Sequence, residues 1–312
     1  MSSAPNLEHT GRWAGRGLCV ATAVLWSTSG LFIKTLTAES GAAWSGWQVA
    51  GARSLFAGIT LLALGRIWPR RPAEAGVSVA PPRRPWLPDG RQLVLAIVYA
   101  GTLLTYVLAQ TFTTTANAIF LQYTAPVYIL FLSPWLLREK PKAADLLSLP
   151  MLLVGIFVIL SAELQFGHGT FGNVMALISG VGYALVMLLM RKWRNAGAEG
   201  GIALGNFLLA AIGIGIACRS AQGFVWPEIR SGAQILWLGV FQIGLAYFLF
   251  QGALRRITAV EASLLCLIEP MLCPLWAWFF VADVPPRNSM LGAGIILLTL
   301  AANTIWKARS EA

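Results

Sequence analysis

The chain has 312 residues, of which 57% are hydrophobic and only 12% charged, with a mean hydropathy of +0.67 and a formal net charge of +10. A soluble domain carries about a quarter charged residues, so this deficit argues against a soluble globular protein of this size. The basic residues lie between long apolar runs instead of forming a patch, which points to membrane orientation and away from nucleic acid.

In chain order, a polar start carrying Arg12 and Arg16 leads into an apolar run too long for a signal-peptide core. It reads as a first spanning helix, 14–36. Further runs of spanning length predict helices at 44–67, 92–112, 116–136, 143–162, 171–192, 200–219, 231–254, 259–281 and 287–307. The fold class is therefore an all-α integral membrane protein with ten transmembrane helices. Most connections are short. The exception, about 66–91, holds "RPAEAGVSVAPPRRPWLPDGR" and reads as an irregular loop.

Eighteen of the 23 Lys and Arg residues fall on one side of this arrangement. Arg219, Arg230 and Arg287 fall on the other, and Lys34 and Arg53 lie inside spans. Positive charge accumulates on the cytoplasmic side, so both termini and the 66–91 loop are expected there. Trp44, Trp47, Trp276 and Trp278, near outer span ends, fit an interfacial belt.

The chain also repeats itself. Tyr106 and Gln110 of the third span match Tyr247 and Gln251 of the eighth at one offset. Ala118, Leu121, Pro126, Glu139 and Pro141 match Ala262, Leu265, Pro270, Asp283 and Pro285 at another. Trp26 and Lys34 align more weakly with Tyr183 and Arg191, and "VGIFVIL" near Gly155 is like "AGIILLTL" near Gly294. Two five-helix halves, 1–162 and 163–312, follow. Because five is odd, the second half enters from the opposite face, giving an inverted-topology repeat.

Four stretches carry a wider resemblance: "LWSTSGLFIK" (Leu25–Lys34), Arg53 in the second span, "TAPVYILFLSPWLLREKP" (Thr124–Pro141) and "LIEPMLCPLWAWFFVADVPP" (Leu267–Pro286). In these the chain resembles the drug/metabolite transporter superfamily, in its ten-helix bacterial branch, over nearly the whole length. Trp26-Ser27 stands where that family commonly has Trp-Gly, and Asp283 where Glu is usual. The resemblance implies transport of a small-molecule metabolite, often export of amino acids, without fixing the substrate.

Glu269 and Pro270 sit together inside an apolar run. Proline removes a backbone hydrogen bond and crowds the carbonyl four residues earlier, here that of Cys266. Pro126 stands at the matching place in the fourth span, and each lies about 11 residues, or roughly 16 Å, into its helix, close to the membrane midplane. Both are candidate bending points for alternating access. An ionised Glu269 in hydrocarbon costs about 3 kcal/mol or more, so it should face the bundle interior. A structural or gating carboxyl, a partner for a substrate ammonium, and a proton-coupling group all remain open for it. Arg53 could hold a substrate carboxylate, pair with Glu269 or satisfy carbonyls at a kink. Lys34, near a span end, is expected to snorkel.

By helical spacing Tyr99, Leu103, Tyr106 and Gln110 share one face of the third span, and Tyr247 and Gln251 one face of the eighth. With Trp26, Ser29, Tyr183, Gln122 and Gln242 they predict a cavity of aromatic walls with hydrogen-bonding tips. Arg53 and Glu269 complete the candidate substrate-binding set. No catalytic residue, metal ligand or cofactor is expected. His9 and His168 lie outside the spans, no HExxH or phosphate loop is present, and the four cysteines read as small buried residues. Thr258 and Glu261 have capping-box spacing, a structural role.

The expectation is a secondary transporter that exports amino acids, aromatic or other neutral ones foremost. Its rival is an efflux pump for cationic drugs, proton-coupled through Glu269. Richness in Ala, Gly and Arg suggests a bacterium, and so the inner membrane; oligomeric state is left open, a monomer included.

Overall fold

A computed structural model describes residues 4–38, 44–67, 88–138, 143–166, 169–193, 200–221, 223–254, 256–257, 265–266 and 268–310. The greater part of the 66–91 loop and the Thr258–Glu261 cap lie outside them. All regular secondary structure among the described residues is helical.

The first helical segment is α1 (Ala4–Ser27) and α2 (Ser29–Ala38), separated by a break at Thr28. α3 (Gly46–Ile67) and α4 (Gly90–Phe112) follow. The fourth segment is also divided, into α5 (Thr115–Gln122) and α6 (Ala125–Leu136), then α7 (Ala143–Phe166). Next come α8 (Thr170–Lys192) and α9 (Gly200–Arg219). The eighth segment runs from α10 (Ile229–Leu236) through a π-helical stretch (Trp237–Leu245) into α11 (Ala246–Leu254). α12 (Ile268–Val281) and α13 (Arg287–Ser310) complete the chain.

Among the described residues six segments are long and apolar enough to cross a membrane: Trp13–Thr37, Gly46–Ile67, Gly90–Phe112, Thr170–Met190, Gly200–Arg219 and Ile229–Ala253. Two shorter apolar helices, Leu147–Ile159 and Ile268–Val281, accompany them. Large apolar side chains such as Phe131, Trp135, Phe157, Phe279 and Leu298 point outward, as a lipid-facing surface requires.

Inside, small residues let backbones meet, which is how helices associate where lipid is as apolar as leucine. α3 crosses α9 at Gly51 and Gly213, where a Cβ on Gly213 would lie 2.6 Å from the Trp47 carbonyl oxygen. α7 crosses α13 at Gly155 and Gly292, where a Cβ on Gly292 would lie 2.5 Å from the Gly155 carbonyl oxygen. α4 packs on α8 and α9, α1 on α11, and α3 on the π-helical stretch. The divided fourth segment packs on α8, and α12 on α1 and α2.

Both expected bending prolines stand in the first turn of a helix, Pro126 in α6 and Pro270 in α12. First-turn amides have no partner within the helix, so proline is tolerated there. The fourth segment turns at Tyr123–Thr124, ahead of Pro126. The prolines that do sit within helices are Pro134, Pro150 and Pro274. The break at Thr28 is held from outside: the Trp276 indole donates to Ser27 Oγ at 3.0 Å, and the Trp237 indole to Thr28 Oγ1 at 3.1 Å. Trp276 is half-buried with its indole turned to this break, and Trp44 is buried against Phe224.

Candidate functional site

The helices leave a small cavity between α1, α3, α4, the turn after α5, α8, the π-helical stretch, α11 and α12. Five of the chain's six tyrosines line it: Tyr99, Tyr106, Tyr123, Tyr183 and Tyr247. Trp26 closes one wall, with its ring 5.2 Å from those of Tyr247 and Phe250. Tyr99 meets Tyr247 edge to face at 5.6 Å. Such pairs bury aromatic faces and leave the phenol oxygens to hydrogen bonding, as where Asn206 Nδ2 lies 3.4 Å from the Tyr99 hydroxyl. The free space is about 50 Å³, room for roughly three or four waters.

Nine of the twelve residues expected to form a cavity line this one: Trp26, Arg53, Tyr99, Tyr106, Gln122, Tyr183, Gln242, Tyr247 and Glu269. Ser29 and Gln110 stand behind the wall. Both meet the Tyr106 hydroxyl, Gln110 Nε2 donating at 2.8 Å and Ser29 Oγ lying at 3.0 Å. Gln251, one turn beyond Tyr247, is half-buried and does not line the cavity. Thr102, Leu103, Tyr123, Val186 and Ile243 also line it. Of these, spacing had placed only Leu103 on that face. Tyr123 carried the same signal as the other tyrosines, a phenol deep in an apolar run, but at the offset that aligns Pro126 with Pro270 it meets Leu267 in the sequence.

Glu269 is buried in the first turn of α12. That position suits a carboxyl, because the free amides of a helix start carry partial positive charge. The Tyr123 hydroxyl donates to Glu269 Oε2 at 2.9 Å and lies 3.3 Å from the Cys266 carbonyl. Cys266 O is the carbonyl that Pro270 cannot serve, and the Tyr123 hydroxyl is the polar group beside it. Among the described residues no cation lies within ion-pair distance of Glu269.

Arg53 occupies the middle of α3 and is 1% exposed. α3 comes close to the π-helical stretch there because position 239 is glycine; a Cβ would lie 2.6 Å from the Arg53 carbonyl oxygen. A π turn widens the helix, and such turns recur at functional sites. This one also carries Gln242 and Ile243 into the cavity wall. Among the described residues the guanidinium makes one hydrogen bond, from Nη2 to the Leu103 carbonyl at 3.5 Å, and Nε has no partner. Neither pairing with Glu269 nor service to a kink carbonyl is what occupies it. Gln122 is anchored by its Nε2 donating to Ser179 Oγ at 2.7 Å, and Ser179 in turn donates to the Thr102 carbonyl.

One end of the bundle above the cavity is tied by polar groups. Lys34 donates to the Thr113 carbonyl and stands 4.0 Å from Asp283, with 18% of its side chain exposed. It turns inward instead of snorkelling. Asp283 accepts from the Thr115 amide at 2.7 Å, capping α5. Thr113 donates to Asn173, and Ser289 to Asn117, which joins α8 and α13 to the same corner. At the other end an apolar cluster of Cys19, Ala253, Phe250, Ile257 and Cys266 lies beneath Trp26 and Tyr247.

No group of three or more His, Cys, Asp or Glu able to hold a metal occurs among the described residues. The arrangement is suited to holding a solute by polar contacts within an apolar shell.

Comparison with known proteins agrees with that chemistry. The model of the EamA-like transporter family matches residues 13–161 and 170–305. An uncharacterized transporter of Archaeoglobus fulgidus is 29% identical over 210 residues, covering 67% of this chain and 74% of that protein. One from Clostridium kluyveri is 24% identical over 214 residues, covering 66% and 68%. A crystal structure at 20% identity shares the fold with a TM-score of 0.65, spanning 96% of this chain and all of the other.

Proposed function

That the chain belongs to the EamA-like transporter family, and so is a multi-pass membrane transporter, is the premise from which we propose its activity: export of small metabolites, aromatic and other neutral amino acids foremost, by alternating access through the central cavity. The observation that carries this reading is the lining. Five tyrosines and a tryptophan surround two amides, a guanidinium and a carboxyl. Such a wall suits a modest organic solute better than a bare ion.

The architecture proposed with it has ten spans in two inverted halves, 1–162 and 163–312, with both termini cytoplasmic in a bacterial inner membrane. The packing pattern supports the repeat, because it survives exchange of the halves. α3 on α9 and α7 on α13 exchange into themselves. α4 on α8 exchanges into the eighth segment on α1, and α4 on α9 into the eighth segment on α3. The divided fourth segment on α8 exchanges into α12 on α1 and α2. The two stretches that match the family model fall one in each half. Sites in inverted-repeat carriers lie near the midplane between the halves, and this cavity draws its walls from both.

About 50 Å³ is far less than the several hundred Å³ of an ordinary metabolite pocket. Loading therefore requires the lining to part. The helix starts at Pro126 and Pro270 offer places to bend, since backbone bonds are already missing there. Proton-coupled efflux of a cation through Glu269 has one favouring observation, a cavity carboxyl without a cation partner, and one against it, Arg53 in the same wall.

The test is flux into sealed vesicles holding purified protein, with a labelled amino-acid panel, with and without a pH gradient, for wild type and Glu269→Gln. Saturable flux indifferent to the gradient supports a facilitative exporter. Gradient-driven flux lost in the variant makes Glu269 the coupling group. Folded protein that moves no amino acid sinks the proposed cargo.

A further inference from the structure

We propose that the cargo bears a carboxylate and that Arg53 is the group that receives it, an inference that rests on the transporter reading and narrows its substrate class. A guanidinium has five N–H donors in a planar fork. Around Arg53 the described residues offer one acceptor at the outer limit of hydrogen bonding and none to Nε. Burying a charge in a low-dielectric interior costs several kcal/mol unless an opposite charge and full hydrogen bonding compensate. Neither is supplied here by the described residues.

The carboxyl that shares the cavity lining with Arg53 is Glu269, and it is engaged elsewhere. Its Oε2 accepts from Tyr123, and its backbone position is set by the start of α12. A guanidinium and a carboxyl therefore share one small space, with no ion pair between them among the described residues. A carboxylate matches the fork of Arg53 in two parallel bonds, and a carboxylate with an ammonium matches both ends. A cargo that is only a cation would meet Arg53 unrelieved. Tyr99, Tyr106 and Tyr247 line the same cavity and offer aromatic surface to the rest of the molecule.

The experiment uses detergent-purified full-length protein and ligand-induced thermal stabilisation. The probes are matched pairs: phenylalanine and its amide, phenylpropionate and its amide, with phenethylamine as the cation. Wild type should need at least about tenfold more amide than acid for equal stabilisation. Arg53→Gln should lose that preference, to within about twofold, by weakening the acids alone. Arg53→Lys should keep part of it, retaining charge without the fork. An arginine that serves only packing would weaken acid and amide alike.

Equal response of wild type to acid and amide, parallel loss of both in Arg53→Gln, or stabilisation by no acid at all overturns the proposal. If Arg53→Gln fails to fold, the wild-type ratio decides alone. The amino-acid reading fails separately: phenylpropionate binding without amino-acid flux would keep Arg53 as the carboxylate anchor and sink amino-acid export. Flux indifferent to amidation would do the reverse.

Discussion

The Tyr123 hydroxyl donates to Glu269 Oε2 at 2.9 Å and lies 3.3 Å from the Cys266 carbonyl. One phenol, at the turn between α5 and α6, thus serves two groups at the start of α12: a carboxyl, and the carbonyl left without a helical partner by Pro270. This explains why a glutamate and a proline can stand together in an apolar run. The proline leaves a carbonyl free, a helix start favours a carboxyl, and the Tyr123 hydroxyl stands within reach of both.

Tyr123→Phe keeps the ring and removes that donor. It should cost about 1–3 kcal/mol, as loss of a buried hydrogen bond that leaves its acceptors unsatisfied does, seen as an earlier thermal transition. Flux should fall with it. Glu269→Gln retains an acceptor for Tyr123 and should melt close to wild type. A Tyr123→Phe protein that melts like wild type would mean that the bond contributes nothing.

Lys34 and Asp283 tie α2, the α4–α5 corner and the end of α12 at one end of the bundle. If this tie holds that end shut, Lys34→Ala should raise access to the helix face beneath it. In protein lacking the native cysteines, Gln110→Cys should react severalfold faster with an impermeant maleimide when Lys34 is also replaced. An unchanged labelling rate would leave the tie a purely structural one.

Long charge-free runs made the helices legible, because few residues in them tolerate water. The expected 171–192 and 200–219 became Thr170–Lys192 and Gly200–Arg219. The irregularities were not legible, since each depends on a partner far away in sequence. Thr28 breaks the first segment where Trp237 and Trp276 supply donors. The π-helical stretch lies where Gly239 meets the Arg53 backbone. Most of the aromatic and amide residues of the cavity could be found by facing, but Tyr123 and, above the cavity, the inward turn of Lys34 could not. Its nearness to a span end pointed outward, while a free carbonyl at Thr113 and the Asp283 carboxylate drew it in.

The crossing of α3 and α9 separates space from mere sequence. A Cβ on Gly213 would lie 2.6 Å from the Trp47 carbonyl oxygen and 2.8 Å from Gly51 Cα, so backbone must shift to admit it. Gly215, two residues on, has nothing within 4 Å. Gly213→Ala should cost about 1–3 kcal/mol through overpacking, and Gly215→Ala should be neutral or slightly stabilising. Equal melting of the two variants would mean that this crossing is looser than its geometry states.

Cys19 of α1 and Cys266 lie with their sulfurs 3.8 Å apart, both buried, 247 residues apart in sequence. They belong to the apolar cluster beneath Trp26 and Tyr247. If access from that end requires α1 to part from the stretch before α12, joining the two sulfurs should stop transport. A disulfide needs about 2.05 Å between sulfurs, a modest approach from van der Waals contact. Copper–phenanthroline with oxygen can take the two electrons, the two thiol protons leaving to solvent. Oxidised vesicles should lose most flux, recover it with dithiothreitol, and show the bond by mass spectrometry. Cys19→Ala should transport normally and ignore the oxidant. Full disulfide formation with undiminished flux would show that this contact stays closed through the transport cycle, and the opening would then have to lie elsewhere in the bundle.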